Sequence, residues 1–277
     1  MTAAAGARSR PAKPRRSFAV PLGIVAFLVI TWLAVSREFG IGLDVGKLVG
    51  NLTRIEGLLW RVSTDQADRG LLNPNWPFLP QTAEPMLETL QMAVIASAIG
   101  CGLALPIAFF VSRVTTPNAG VFNAGRSVLS VIRAIPDILY ALIFIAALGV
   151  GPLPGILALI FFNVGVVVKL LSETVDGVDV GPIEAGRASG ASRAQTVRWA
   201  VMPQVLPNYV AYSLYVFELN IRASTVLGIV GAGGIGRILY REYSLFHWSN
   251  LSVVIVEVFV FVILIEFVSI WLRRRLV

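Results

Sequence analysis

Cysteine, histidine and charge are all scarce in this 277-residue chain, and each scarcity closes off a class of function. The single cysteine, Cys101, excludes an internal disulfide framework and a thiol-based metal cluster. The single histidine, His247, sits near an aromatic cluster and reads as a packed or interfacial residue rather than a ligand. No His/Cys/Asp group has a spacing that suits catalysis, and no G-x-x-x-x-G-K-[ST] loop occurs, so the sequence carries no P-loop for a nucleotide. Charged residues make up 14% of the sequence, about half the ~25% usual in a soluble domain.

Apolar residues are abundant, at 56% of the positions, and the mean hydropathy is +0.76. Apolar runs at 17–36, 86–111, 127–150, 153–171, 205–230 and 250–272 are each long enough to cross a bilayer. The expectation is an all-α polytopic membrane protein with about six transmembrane helices. The net charge of +7 does not indicate nucleic acid, because nine basic residues flank the first and last runs with no basic stripe or interleaved aromatics. Arg8, Arg10, Lys13, Arg15 and Arg16 precede the first run, Arg37 follows it, and Arg273, Arg274 and Arg275 follow the last. By the positive-inside rule both termini are cytoplasmic, which requires the even number of crossings that the apolar runs supply.

Residues 1–16 read as a disordered basic cytoplasmic tail, and 17–36 as an uncleaved first transmembrane helix. Residues 37–80 form an external segment. Within it Val45, Leu48, Val49, Leu52, Ile55 and Leu59 share one helical face between Asp44 and Trp60, as an interfacial amphipathic helix would. Asn73–Pro80 is read as a linker into a core that spans 81–277 and carries a cytoplasmic loop at 172–203.

That loop contains GPIEAGRASGASRAQTVRWAVMPQVLP from Gly181. Pro182 suits a first helical turn and Glu184 complements its positive end. Gly190 is placed for a left-handed cap, and Ser192 with Gln195 makes a capping-box pattern that opens a second helix. Pro203 and Pro207 are read as the turn back into the membrane. On local pattern alone this is a helix–turn–helix, which also serves as a plain connector.

The spans hold polar residues that cost roughly 2.5–3.5 kcal/mol each when charged. Arg133 and Asp137 lie four apart around Pro136, and Glu218 and Arg222 lie four apart beside Asn220, Ser224 and Thr225. Two self-neutralising pairs that steady helix packing are one reading. The other is a path on which Arg222, Asn220, Ser224, Glu218 and Arg133 meet an anion, because an arginine fork matches an oxyanion. Lys169 reads as a residue snorkelling to the cytoplasmic surface, and Glu257 and Glu266 are expected to face other helices. The tract GAGGIG at 231–236 fits a dinucleotide-binding pattern only formally, since it ends an apolar span instead of following a strand. Gly231, Gly233, Gly234 and Gly236 are read as a flexible, close-packed hinge at the outer mouth.

The loop also resembles the coupling loop of ATP-binding-cassette importer permeases: Glu-Ala-Ala, three residues, Gly, nine residues, Ile-x-Leu-Pro. Glu184, Ala185, Gly190 and Pro203 match in register, while Gly186, Ala200 and Met202 stand where the pattern has Ala, Ile and Leu. The stretches at 87–110, 132–159 and 217–236 are similar to phosphonate-type (PhnE) permeases, and this similarity covers about 80–272. The resemblance implies a type I, methionine-permease-like (MetI-like) importer fold and a non-catalytic membrane subunit. Glu184, Ala185, Gly186, Gly190 and Pro203 would then dock on ATP-binding subunits, which hold the ATP and Mg, and this chain would bind no cofactor. The implied partners are those subunits, an external solute-binding protein, a second copy of this permease and the lipid bilayer. The implied cargo is a phosphonate, phosphate or phosphite. The related methionine-type permeases share the loop and remain an alternative, as, more distantly, does a secondary anion transporter.

Overall fold

The structure is a computed structural model that describes residues 19–35, 50, 58–59, 70–116 and 118–276. Every regular element among them is a helix, and there is no strand among the described residues. The basic tail, most of the expected interfacial helix and Pro117 lie outside the described residues, although Leu58 and Leu59 are helical. The chain divides into two compact units, residues 1–55 and 56–277.

The first unit contributes α1 (Ala19–Val35), a uniformly apolar helix with no charged residue in its first or last turn. The second unit is a helical bundle. A short 3-10 turn at Trp76–Phe78 leads into α2 (Leu79–Phe110), so the expected linker is largely structured. Then come α3 (Ala119–Ala134), α4 (Asp137–Leu148), α5 (Pro152–Asp176), α6 (Gly181–Ala188), α7 (Arg193–Thr196), α8 (Met202–Ile229), α9 (Ile235–Ser244) and α10 (Trp248–Leu276).

The six apolar runs correspond to α1, α2, α3 with α4, α5, α8 and α10. By length and composition Trp76–Phe110, Pro152–Asp176 and Trp248–Arg275 qualify as unbroken spans. The third run is broken: α3 and α4 meet at 84°. Ile135 takes an extended conformation ahead of Pro136, as the ring of a following proline demands, and Pro136 is itself extended. The four-residue spacing of Arg133 and Asp137 therefore does not make a helical pair. Asp137 instead accepts from the backbone N–H of Ile138 at 2.9 Å.

Helices α2, α5 and α8 form the centre of the bundle. Gly100 on α2 lets Asn163 of α5 approach so closely that an added Cβ would lie 2.6 Å from the Asn163 Cβ. Asn163 is fully buried and donates to the Ala96 carbonyl at 3.0 Å. Close backbone approach and interhelical hydrogen bonds replace the hydrophobic drive that lipid does not supply. At one end of the bundle Asp176 joins three elements. It accepts from Ser112 Oγ at 2.6 Å and the Arg113 N–H at 2.7 Å, and pairs with Arg126 at 2.9 Å.

At the other end the glycine tract and α9 are tied down. Gly231, Gly233 and Gly234 have φ of 96°, 85° and 71°, and residues 232–236 are buried. The Gly151 N–H donates to the Gly231 carbonyl at 3.0 Å, and the Ile235 N–H to Thr89 Oγ1 at 2.8 Å. Helix α9 falls within 231–249, where hydropathy predicts no span. Its Glu242 is 2% exposed and binds Arg241, His247 and Asn250, while Asn75 donates to Asn250 at 2.8 Å. The lone histidine is thus a hydrogen-bonded packing residue.

Candidate functional site

Helix α8 presents two polar sets on different faces. Positions 218 and 222 share one face and positions 220 and 224 another, about 200° round at 100° per residue. Glu218 is 7% exposed. It pairs with Arg222 on its own helix and with Arg273 of α10, whose guanidinium lies 3.2 Å away. The Arg222 side chain is half exposed. By sequence Arg273 belongs to a basic terminus; its pairing with Glu218 joins helices far apart in sequence, and no local spacing signals it.

The second set faces inward. Asn220 is fully buried and donates Nδ2 to Ser97 Oγ of α2 at 2.7 Å, and its Oδ1 has no hydrogen-bond partner among the described residues. Ser224 is also fully buried and donates to the Ile221 carbonyl of its own helix. Arg222 and Glu218 are therefore gathered in one place, and Asn220 and Ser224 in another.

Arg133 ends α3 on the Glu218 side of the bundle. It lines a cavity of roughly 570 Å³ with Lys169, Leu170, Tyr212, Tyr215 and Arg273. Lys169 pairs with Glu173 one turn further along α5. Of the two acids in the last span, Glu266 is exposed on this single chain, unlike the expectation, and Glu257 has one buried oxygen without a partner among the described residues.

The loop between α5 and α8 is built as its local chemistry predicts. Pro182 lies in the first turn of α6, with Glu184 beside it. The helix closes in a Schellman motif: the Gly190 N–H bonds the Arg187 carbonyl and the Ala191 N–H the Gly186 carbonyl, each at 3.0 Å. Gly190 has φ of 81°, the left-handed conformation that glycine adopts without a steric penalty. Ser192 and Gln195 form both bonds of the capping box. Ile183 is buried and anchors α6, while Glu184, Ala185 and Gly190 are exposed and Gly186 is half-buried. Beneath the bracket Arg113, Arg187 and Arg193 line a cavity of roughly 490 Å³.

One expectation about this loop changes. Exposed Pro203 does not mark a turn. Helix α7 runs through a π-helical stretch, Val197–Val201, straight into α8, with Pro203 in the first turn of α8 and Pro207 inside it. A proline removes one N–H from the helical ladder, and a π turn is a common way to absorb such a local mismatch.

Residues 104–277 match the family described as binding-protein-dependent transport system inner membrane component. The chain is 35% identical over 262 residues to the putative phosphite transport system permease protein HtxC of Stutzerimonas stutzeri, covering 95% of this chain and 88% of that one. It is 38% identical over 190 residues to the phosphate-import permease protein PhnE of Mycolicibacterium smegmatis, covering 69% of this chain and 36% of that longer protein. The fold is similar to a solved structure of the MetNI methionine ABC transporter in an inward-facing conformation, with a TM-score of 0.66 and 24% identity, covering 73% of this chain and 99% of that one. Permeases of this kind work with ATP-binding subunits and a solute-binding protein. The chain belongs to the family of binding-protein-dependent transport system inner membrane components, as a multi-pass subunit of an ATP-binding-cassette importer.

Proposed function

We propose that this permease carries a phosphorus oxyanion (a phosphonate, phosphate or phosphite) into the cell, driven by ATP hydrolysis on a partner subunit. The observation that carries the cargo assignment is the excess of arginine over carboxylate at Glu218, where one buried acid faces both Arg222 and Arg273. An excess guanidinium in a low-dielectric setting favours an anionic visitor. The relatives named for phosphite and phosphate transport support the same reading.

In this reading both termini are cytoplasmic, and α6, Gly190 and α7 form a cytoplasmic knob that the ATP-binding subunit grips at Glu184, Ala185 and Gly186. ATP and Mg reside on that subunit and the permease performs no catalysis. Gly231, Gly233, Gly234 and Gly236 set the pivot of the outer mouth. Two copies of the permease form the path, because a half-exposed Arg222 needs cover from lipid that a second copy provides. Arg222 with Glu218 and Arg133 belongs to the anion path, while Asn220 holds α8 against α2 and Ser224 is buried on the same face.

The test is uptake of labelled phosphate, phosphite and methylphosphonate by the permease reconstituted with its ATP-binding subunits and binding protein. Glu184→Lys should leave ATPase activity running without uptake, and Arg222→Ala should lower uptake at limiting substrate. Full uptake in Arg222→Ala would return that residue to a packing role. Uptake of none of the three anions by the unmodified complex would overturn the cargo assignment.

A further inference from the structure

We infer that the groove between α3, α5, α8 and α10 is a binding site for a tetrahedral phosphorus oxyanion, held by Arg133, Lys169 and Arg273 with the Tyr215 hydroxyl. The inference rests on the proposed function for its transport role, and on geometry alone for its binding chemistry. Arg273 is shared with the Glu218 pairing, and the groove brings it together with Arg133 and Lys169.

Its charge is unbalanced. A smaller cavity adjoins the groove, shares Arg133 and Lys169 with it and adds Arg126. With Arg222, which shares Glu218 with Arg273, the region holds five cations. Their ion-pair partners are three carboxylates: Asp176 with Arg126, Glu173 with Lys169, and Glu218 with Arg222 and Arg273. The excess of two positive charges equals the charge of one fully ionised phosphonate or hydrogen phosphate. Arg133 has no ion pair among the described residues, so its guanidinium is the donor left for a ligand.

The groove is shaped as well as charged. Gly165 leaves a slot in α5 for the Arg133 stem, since an added Cβ would sit 3.0 Å from Arg133 Cγ. Lys169 lies one helical turn beyond Gly165 on the same face of α5, and it lines the groove together with Arg133. Tyr212 is held by Thr174 at 2.9 Å, which fixes that wall, and Tyr215 is exposed. The volume of roughly 570 Å³ is of the size of small-molecule sites. Lys169 is seven residues from the end of α5, which sets the groove about 10 Å from the end that carries α6 and α7.

Two sources present this chemistry, the transported anion and the headgroup of an anionic lipid. The permease with its ATP-binding subunits, but without the binding protein, is placed in phosphatidylcholine nanodiscs. One arm titrates inorganic phosphate and methylphosphonate calorimetrically. The other measures retention of phosphatidic acid by native mass spectrometry from discs doped with it. In whichever arm the unmodified complex binds, Arg133→Gln and Lys169→Gln should weaken binding about tenfold, with Arg133→Lys retaining most of it. Binding of phosphate or methylphosphonate identifies a waypoint for cargo, and binding of phosphatidic acid alone identifies a lipid site; both support an oxyanion groove. No binding in either arm, or equal binding by the glutamine variants, overturns it. Uptake measured in parallel separates the readings: unchanged uptake and binding in Arg133→Gln sinks the groove and spares the function. Failure of the unmodified complex to take up any phosphorus oxyanion sinks the function, while the lipid arm still decides the groove.

Discussion

Replacing Glu242 with glutamine removes the charge at the hub of the α9–α10 corner while keeping its shape, and the consequences follow from the hydrogen bonds in turn. One carboxylate oxygen accepts from Arg241 Nε at 2.8 Å. The other accepts from Asn250 Nδ2 at 3.0 Å and bonds His247 Nδ1 at 3.0 Å. An amide has only one accepting end, so its NH2 must face either Arg241 or the Asn250–His247 side, donor against donor. Hydrogen bonds to a charged group are worth about 1.5–3 kcal/mol each. The side chains of Arg241 and His247 are 51% and 38% exposed and can turn to water, which discounts their share. Asn250 is 7% exposed and cannot. The net cost is about 2–4 kcal/mol, or roughly 30-fold to 1,000-fold in a local opening equilibrium.

The assay is amide hydrogen exchange over 235–250 in the reconstituted complex, with 70–78 read alongside because Asn75 and Asn73 bond into the same corner. Protection should fall in both segments in Glu242→Gln and stay unchanged in α5. The pH dependence has a definite sign. Burial by itself raises the Glu242 pKa, but hydrogen bonds from Asn250, Arg241 and His247 and the Arg241 charge more than offset it, leaving it below the usual carboxylate range. A carboxyl that is more acidic in the folded state stabilises fully above its ordinary value and loses that contribution as pH falls through the lowered one. Protection in the unmodified protein should therefore decline at acid pH, and Glu242→Gln should flatten that decline. Equal protection in mutant and parent at neutral pH would refute the hub.

Three further outcomes are expected. Gly190→Val should force a β-branched residue into φ of 81° at a cost of about 1–2 kcal/mol; because nothing lies within 4 Å of an added Cβ, Gly190→Asn should keep uptake coupled to ATPase activity where valine loses it. Gly234→Ala should combine a positive φ with a Cβ 2.6 Å from Thr89 Oγ1, costing about 2 kcal/mol or more and lowering exchange protection at Ile235. Asp176→Asn should lower the melting temperature of the complex, because Arg126 loses its partner and one end of the amide meets a donor; the cost is about 1–3 kcal/mol, and an unshifted melt would show the junction to be dispensable.

The features readable from sequence were those that close within a few residues. Pro182, Gly190, Ser192 and Gln195 each act on backbone groups at most five positions away, so the bracket could be written down residue by residue. The break at Pro136 was also local, and the run Arg-Ala-Ile-Pro-Asp holds a helix stop followed by an acidic start; continuous hydropathy across 127–150 hid it, because an apolar run does not report the angle between its halves. The pairing of Glu218 with Arg273 had no such signal. It depends on how α8 crosses α10, which is set by packing over the whole bundle. For the same reason helical periodicity separates 218 and 222 from 220 and 224, but it does not say which neighbouring helix each face meets.

Under the proposed coupling to the ATP-binding subunit, that sorting and the unbroken helix that carries it make a direct mechanical link. From Arg193 to Ile229 the chain is helical without interruption, through α7, the π stretch and α8. A hinge at Pro203 would have let the bracket move while α8 stayed still. A continuous helix instead passes rotation or tilt of the bracket to Glu218 and Arg222, about 40 Å along the axis from Arg193 at 1.5 Å per residue. Asn220 fixes the opposite face against α2 through its bond to Ser97. Interhelical bonds of this kind are worth only about 0.6–1.7 kcal/mol in a membrane, which is strong enough to set a resting register and weak enough for a gripped bracket to overcome. The buried Asn220 Oδ1, which finds no partner among the described residues in this register, marks the same contact as incompletely satisfied, so a shift of α8 along α2 gives up little there, whereas the ion pairs to Arg222 and Arg273 on the other face are what such a shift would rearrange.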